Sequence, residues 1–303
     1  MDKRQKKALI SLAGDNVVFG CPMARHTTFR VGGDVEALFE AHDVERLQRA
    51  LAYLNGEHIP YLVVGGGSNL LVRDGGLEGV AILLKGSLQA VEQSGSDIST
   101  IIAGAGMTIV DLLKYCRESG LGGLEFLAGI PGTVGGAVAM NAGAFGEETA
   151  TSIHEISMGV PGGGLVVRKR PQLKFSYREL LLEKGSVILK VCFKLALVDK
   201  EFVAERIARN LKRRKETQPL EYAGAGSIFK NPPNDYAGRL IEHMGLKGKR
   251  IGGAMISKKH ANFIINTGGA KAGDILTLLN LARDQVKNKT GIDLQPEIKV
   301  VGR

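Results

Sequence analysis

Gly122-Gly123-Leu124-Glu125-Phe126-Leu127-Ala128-Gly129-Ile130-Pro131-Gly132-Thr133-Val134-Gly135-Gly136-Ala137-Val138-Ala139-Met140-Asn141-Ala142-Gly143-Ala144-Phe145-Gly146 is the stretch whose reading decides this chain. Within it, Ala128 to Gly136 holds one proline, one threonine and four glycines. Pro131 fixes φ and removes a donor, while the glycines tolerate φ > 0. Such a run can curl until successive N–H groups face one concavity, a nest suited to phosphate oxygens. Beyond it, Ala137, Ala139, Ala142, Gly143 and Ala144 keep the chain thin enough for a flat ligand to lie on the backbone. Composition alone fits a glycine-rich turn between tightly packed elements equally well.

Two familiar nucleotide loops are excluded. A P-loop closes with Gly-Lys-Ser/Thr, and no lysine stands between Gly122 and Gly146. A dinucleotide fingerprint needs a third glycine opening a helix and an acid about 20 residues on. Gly65-Gly66-Gly67-Ser68-Asn69-Leu70 has leucine at the sixth place and Lys85 near the acid's position.

Working outward, 303 residues suffice for two domains at roughly 150 residues each. Apolar content of 44% and charged content of 23% are globular values. Glycine, at 41 residues, is about twice the usual ~7% and clusters in loops. The three cysteines, Cys21, Cys116 and Cys192, are odd in number and widely spaced. That pattern points to a reducing compartment and away from a disulfide framework or zinc site. The six histidines show no metal-ligand spacing, so no metal is expected. No apolar run reaches the ~18 residues of a membrane span. The basic start, Asp2 to Lys7, precedes an apolar run too short for a signal peptide and closed by Asp15, which predicts an amphipathic first helix and a cytoplasmic protein.

A net charge of +9 raises the question of nucleic acid. Much of the excess lies in Arg206, Arg209, Lys212, Arg213, Arg214 and Lys215, on one predicted helix without aromatic interleaving. A solvated helix face is the first account of it and a site for a small anion the second; no nucleic-acid or protein partner is expected.

The spacing predicts a helix at 43–55 capped by Asp43, and a short strand at 61–64 running into the triple glycine. Further strands are expected at 80–84 and 100–103, then a helix capped by Thr108 and stopped by Gly120. Strands dominate 153–198, with Pro161 to Gly164 as a hairpin turn. The basic helix at 200–216 follows, and a domain boundary is placed near 200. Beyond it come helices at 235–244 and 272–289 and strands at 262–265 and 298–301.

Three polar constellations stand apart: Lys174-Phe175-Ser176-Tyr177-Arg178, Gly224-Ala225-Gly226-Ser227-Ile228-Phe229-Lys230-Asn231-Pro232, and Gln295-Pro296-Glu297. Singly, each has a plain account as a surface arginine, a strand-initiating serine or an edge glutamate. Together with the glycine loops, in this order from about Thr27 to Glu297, they resemble the UDP-N-acetylenolpyruvoylglucosamine reductase (UDP-N-acetylmuramate dehydrogenase) family. The short spacing from Arg178 to Ser227 resembles its shorter class, which lacks an inserted loop over the substrate.

The resemblance implies an α+β fold: an FAD-binding domain of the vanillyl-alcohol-oxidase type over 1–200, with subdomains of about 1–84 and 85–200, and a substrate domain over 201–303. Whether the last strand returns to the FAD domain stays open. FAD is implied to bind without a covalent tether, its diphosphate on Gly65, Gly66, Gly67, Ser68 and Asn69 and on Gly129, Ile130, Pro131, Gly132, Thr133, Gly135 and Gly136. The implied reaction passes a hydride from NADPH through FAD to the enolpyruvyl ether of UDP-N-acetylglucosamine, in peptidoglycan synthesis. By the same correspondence Arg178 and Glu297 stabilise an enolate and Ser227 supplies the proton, with Tyr177, Lys230 and Asn231 on the substrate. The alternative on this fold is an FAD oxidase or dehydrogenase of a small hydroxy compound, which needs neither that triad nor a basic surface.

Overall fold

In the computed structural model, the described residues are all of the 303 except Ser96, Gly162 and Gly163. The chain forms two compact units. One comprises Met1–Gly20, Glu36–Gly66 and Glu78–Lys212; the other comprises Cys21–Val35, Gly67–Leu77 and Arg213–Arg303. The crossing at Lys212–Arg213 lies inside the basic helix, where the sequence suggests a boundary near 200.

In the first unit, α1 (Lys3–Ala13) opens with a capping box in which Asp2 accepts the Gln5 N–H and Gln5 answers the Asp2 N–H. Helix α2 (Val44–Gly56) starts where Asp43 accepts the Arg46 N–H at 2.8 Å, and it buries Leu47, Ala50, Leu51 and Leu54. The i, i+3, i+4, i+7 spacing puts those four on one stripe. A four-stranded sheet runs in the order Val17–Pro22, Asp34–Ala41, Leu77–Leu84 and Tyr61–Val63. Tyr61–Val63 lies parallel to the Leu77–Leu84 strand, Tyr61 opposite Val80.

A second sheet of this unit is wholly antiparallel, in the order Leu165–Lys169, Ile153–Gly159, Val187–Lys194, Thr100–Gly104 and Val91–Gln93. The expected hairpin joins its first two strands, with Gly159 opposite Leu165; Gly162 and Gly163 of its turn fall outside the described residues. Helix α3 (Ile109–Ser119) has Thr108 as N-cap and ends at Gly120, whose φ of 65° is left-handed. Helix α4 (Val134–Ala139), which the sequence pattern does not announce, emerges from the glycine loop with Thr133 as its cap. Helix α5 (Lys200–Thr217) is the basic helix.

The second unit holds an antiparallel sheet in the order Ala223–Gly224, Ile264–Asn266, Ala254–Ile256 and Arg250–Ile251. Helix α6 (Ala237–His243) is shorter than the expected 235–244. Helix α7 (Ala272–Thr290) buries Ala272, Ile275, Leu278, Leu279, Ala282 and Val286. These join Phe29, Val31, Leu71, Ile228 and Phe229 in one core. The last strand, Lys299–Val301, lies parallel to Leu70–Val72, with Lys299 opposite Leu70. Two early segments thus supply both core and strand to the C-terminal unit.

Asp74 fixes the register of that union. Its Oδ1 accepts the Ala272 N–H and its Oδ2 the Gly273 N–H, each at 2.9 Å. A carboxylate on the first-turn donors of a helix satisfies groups that have no intrahelical partner and complements the helix dipole. Asp74→Ala is therefore expected to cost on the order of 1 kcal/mol, and Asp74→Asn less, as read from urea unfolding. No change for either would assign the role to the Lys271–Asp274 end of α7 alone.

Candidate active site

In the first unit the two glycine loops close on one another. A Cβ on Gly65 would come within 2.5 Å of Thr133 Oγ1, and one on Gly66 within 2.7 Å of Gly132 Cα. Gly66 therefore meets main chain and Gly65 the threonine side chain, and glycine is required at both by contact. The Ile109 N–H donates to Gly132 O and the Val134 N–H to Met107 O, tying the loop to the start of α3. The Gly135 N–H donates to Ala105 O at 2.8 Å, and a Cβ there would come within 2.9 Å of the Ala105 Cβ. Gly135 is thus a packing position. Gly136 differs: it is exposed, and a Cβ would meet only Thr133 Oγ1 at 3.5 Å. Ile130 spends its N–H on Leu127 O and Gly136 on Thr133 Oγ1. The expected nest is consequently narrower than the glycine count suggests, since Ile130, Gly135 and Gly136 all spend their N–H groups within the protein.

Arg178 also belongs to this unit. It occupies the turn of the hairpin formed by Lys174–Ser176 and Glu179–Leu181, at φ 61°, beside the half-exposed Tyr177. Its guanidinium carbon lies 5.0 Å from the Tyr177 ring centroid, within cation–π range. Its Nη1 would be 3.0 Å from a Cβ at Gly143, so the guanidinium lies on the bare backbone of that glycine. Buried Asn141 supports the turn from behind: its Nδ2 donates to Ser176 O at 3.1 Å and to Glu148 Oε2 at 3.0 Å, and its Oδ1 accepts the Ala150 N–H.

Gly67, Ser68 and Asn69 lie in the second unit. Gly67, at φ 61°, runs against His26 and Thr27, where any Cβ would strike the His26 carbonyl. Asn69 Nδ2 donates to Glu297 O at 3.0 Å, and the Lys299 N–H donates to Asn69 O at 2.9 Å. Asn69 therefore holds the Glu297 segment in place.

Ser227 and Glu297 are brought together by backbone pairing. Phe229 and Pro296 form an antiparallel bridge, the Glu297 N–H donates to Ile228 O at 2.7 Å, and the Lys230 N–H donates to Gln295 O at 2.9 Å. The Ile228–Phe229 backbone is also held by a residue the sequence reading missed. Asn262, 3% exposed, accepts the Phe229 N–H on Oδ1 at 3.0 Å, donates Nδ2 to Phe229 O at 2.8 Å, and accepts the Ile228 N–H on its own carbonyl. That duty delays the strand expected from 262, which starts at Ile264. Its only signal was an amide placed just before an apolar run.

Ser227 opens onto a cleft of about 370 Å³ lined also by Asn231, Tyr236, Arg239, Lys259 and His260. Of the expected substrate residues here, Asn231 lines it, and its Oδ1 accepts the Ala237 N–H at 3.1 Å, capping α6. Arg239 pairs with Asp235, which holds that carboxyl down at about 2. His260 Nδ1 accepts the Asn262 N–H at 3.2 Å and its ring meets Phe263 edge-on. Nδ1 being an acceptor, the hydrogen of the neutral ring sits on Nε2. Burial, then Lys247, lowers the His260 pKa, which favours that neutral form.

Most of the basic helix is the solvated face expected of it, Arg209, Lys212, Arg213 and Lys215 being exposed, but Arg206 and Arg214 are drawn inward. Arg206 pairs with buried Glu125 at 3.6 Å and with Glu147 at 2.8 Å, and Arg214 is 7% exposed. Among the described residues no cluster of three or more His, Cys, Asp or Glu suits a metal ion, and no helix is long and apolar enough to cross a membrane.

A model of the FAD binding domain family matches residues 35–166, and one of the UDP-N-acetylenolpyruvoylglucosamine reductase C-terminal domain matches 218–301. The chain is 41% identical over 294 residues to the UDP-N-acetylenolpyruvoylglucosamine reductase of Clostridium botulinum (strain 657 / Type Ba4), spanning 96% of this chain and 94% of that one. It belongs to the UDP-N-acetylenolpyruvoylglucosamine reductase family. The crystal structure of the reductase from Thermus caldophilus superposes with a TM-score of 0.81 at 38% identity, covering 94% of this chain and 98% of that one. Phl p 4, a grass pollen allergen with glucose dehydrogenase activity, matches with a TM-score of 0.50 at 14% identity over 65% of this chain and 44% of its own. That likeness is one of fold. The reductase-family chain thus has the expected α+β architecture, an FAD-binding domain of the vanillyl-alcohol-oxidase type followed by the family's C-terminal domain.

Two expectations follow from the geometry. A Cβ on Gly136 meets only Thr133 Oγ1, at van der Waals range, so Gly136→Val should fold, yet purify without flavin if its side chain fills the outer side of a cofactor loop. Gly135→Val should instead lower thermal stability by crowding Ala105. A yellow, stoichiometric Gly136→Val protein would remove this loop from cofactor binding. For His260, the lowered pKa means the unfolded chain takes up the proton first as pH falls. The stability this group supports is present above its unfolded pKa of about 6.5 and is lost as pH falls toward the lower folded value. His260→Gln should therefore flatten the decline in unfolding free energy between about pH 6.5 and 5, and an unchanged slope would refute it.

Proposed function

We infer that the protein reduces the enolpyruvyl ether of UDP-N-acetylglucosamine to UDP-N-acetylmuramate, a step of peptidoglycan synthesis in the cytoplasm, with FAD bound non-covalently and NADPH as hydride donor. What carries the inference is the backbone pairing that sets Ser227 beside the Glu297 segment at a polar cleft, in a chain whose relatives bear this reductase name over nearly their whole length. The residues fit the cofactor: Gly65 and Gly66 let the two loops touch, Gly136 leaves the outer side of the second loop bare, and the Gly132 and Thr133 N–H groups would be the donors to a diphosphate. When bound there, FAD supplies a carrier that takes a hydride from NADPH and releases it to the substrate.

The protein's own groups then have defined tasks. Hydride added to the terminal methylene leaves an electron pair on the carbon bearing the carboxylate, delocalised as an enolate. Arg178 holds that developing charge, because a guanidinium stays ionised and grips oxygens in a fixed plane, and Glu297 joins it as the neutral acid, donating a hydrogen bond to the enolate. The Ser227 Oγ proton moves to the carbon, completing the lactyl ether, and water reprotonates the serine oxygen. The enolate is basic enough for a hydroxyl to serve. Lys230, Asn231, Tyr177 and the Arg213–Lys215 cluster are the candidates for the rest of the UDP-sugar, in the arrangement of the shorter class. Domain roles follow the same assignment, FAD on the N-terminal domain and the sugar nucleotide on the C-terminal one.

The test separates two half-reactions. In Ser227→Ala, NADPH should bleach the flavin at close to the wild-type rate, while re-oxidation by the enolpyruvyl substrate slows by at least the ~100-fold of a positioned acid. Equal slowing of both would make Ser227 a packing residue. Rapid bleaching by NADPH without any hydroxy compound also disfavours the oxidase alternative.

A further inference from the structure

Arg206 lies outside every motif that carries the function, yet it joins two elements on which that function depends. Its Nη1 is 3.6 Å from Glu125 Oε2, and that carboxylate is 1% exposed. Its Nη2 donates to Glu147 Oε1 at 2.8 Å. One turn further along α5, Asn210 Nδ2 donates to Glu125 O at 2.8 Å. Glu125 Oε2 also accepts the Gly123 N–H, at the head of the glycine stretch. Helix α5 therefore grips that stretch at two points, and Arg206 extends the grip to Glu147.

Glu147 stands in a two-stranded hairpin with Gly143–Ala144, Glu147 opposite Ala144 and Glu148 opposite Gly143. A Cβ on Gly143 would lie 2.5 Å from Glu147 O and 3.0 Å from Arg178 Nη1, so Arg178 rests on the strand that Glu147 faces. The next residue, Glu148, takes the Asn141 amide that also supports the Arg178 turn. Helix, carboxylate, hairpin and guanidinium form one contiguous series.

We propose that Arg206 and Glu147 are positioning residues: their ion pair fixes the Gly143–Glu148 hairpin and thereby holds the Arg178 guanidinium at one place. The proposal rests on the role given to Arg178 above. An arginine has many rotamers, and its electrostatic value to an enolate depends on where its charge stands before the charge develops. Arg206 is a blunt probe, because its removal also strands a buried Glu125 and risks the fold. Glu147→Gln is the sharper one, since it keeps shape and leaves the Arg206–Glu125 pair in place.

In holoprotein labelled with 15N-arginine, the Arg178 guanidinium signals, identified by their loss in Arg178→Lys, should show hindered rotation in the wild type and free rotation in Glu147→Gln. Flavin content and bleaching by NADPH should hold in Glu147→Gln, while re-oxidation by the enolpyruvyl substrate slows by on the order of 10- to 100-fold in kcat, the cost of a small misplacement. In the Arg178→Lys background the same change should add little, because both act through one group. Unchanged Arg178 signals, or losses that multiply in the double variant, would overturn the proposal. Should Arg178→Lys itself leave re-oxidation intact, the enolate role of Arg178 falls, and the rotation of its guanidinium still decides whether the clamp exists.

Discussion

The first unit turns on a contact between bare backbones. Gly66 lies so close to Gly132 that no side chain fits between them, and Gly65 abuts the threonine that caps α4. From that contact the loop is fixed to the start of α3, through Gly132 O and Met107 O, and to the antiparallel sheet through Ala105. A loop with these attachments cannot relax around a foreign side chain, because each neighbour is itself tied to a strand or a helix. The shape of the loop is thus set by the protein's own contacts.

The second unit depends in the same way on one buried amide. Asn262 satisfies both main-chain groups of Phe229 from its side chain and the Ile228 N–H from its carbonyl. A buried amide left with half its partners costs more than it contributes, so this arrangement tolerates little adjustment. It sets the height at which Ser227 meets the cleft, and the Phe229–Pro296 bridge carries that setting to Glu297.

Much of this was legible in the sequence because it rests on local chemistry. Asp43 and Thr108 cap the helices expected of them, and Gly120 stops the second. The glycine loops and the Ser227 and Glu297 motifs stood out because their residue types depart from the pattern of an ordinary core or surface. What escaped depends on partners far along the chain: Asn262 lies 33 residues from Phe229, and Asp74 lies 198 from Ala272. The basic helix was legible only in part for the same reason: its solvated face was, the inward turn of Arg206 was not. Helical spacing shows that Arg206, Arg209 and Arg213 share a face, but not that two carboxylates await Arg206. Gly135, Asn69 and Asn231 carry packing, tethering and capping duties that composition cannot separate from ligand contact.

The discontinuity of the second unit bears on how the chain is born. Its earliest pieces, Cys21–Val35 and Gly67–Leu77, leave the ribosome long before Arg213–Arg303 exists to receive them. At translation rates of roughly 5–20 residues per second, Leu71 waits on the order of ten seconds or more for its neighbours on α7 and the final strand. During that interval Phe29, Val31 and Leu71 have no core to enter, while the strand Leu70–Val72 offers an open edge. The unit therefore closes only once Arg213–Arg303 has been made, and a fragment from Arg213 to Arg303 would lack a strand, three core side chains and the carboxylate that caps α7.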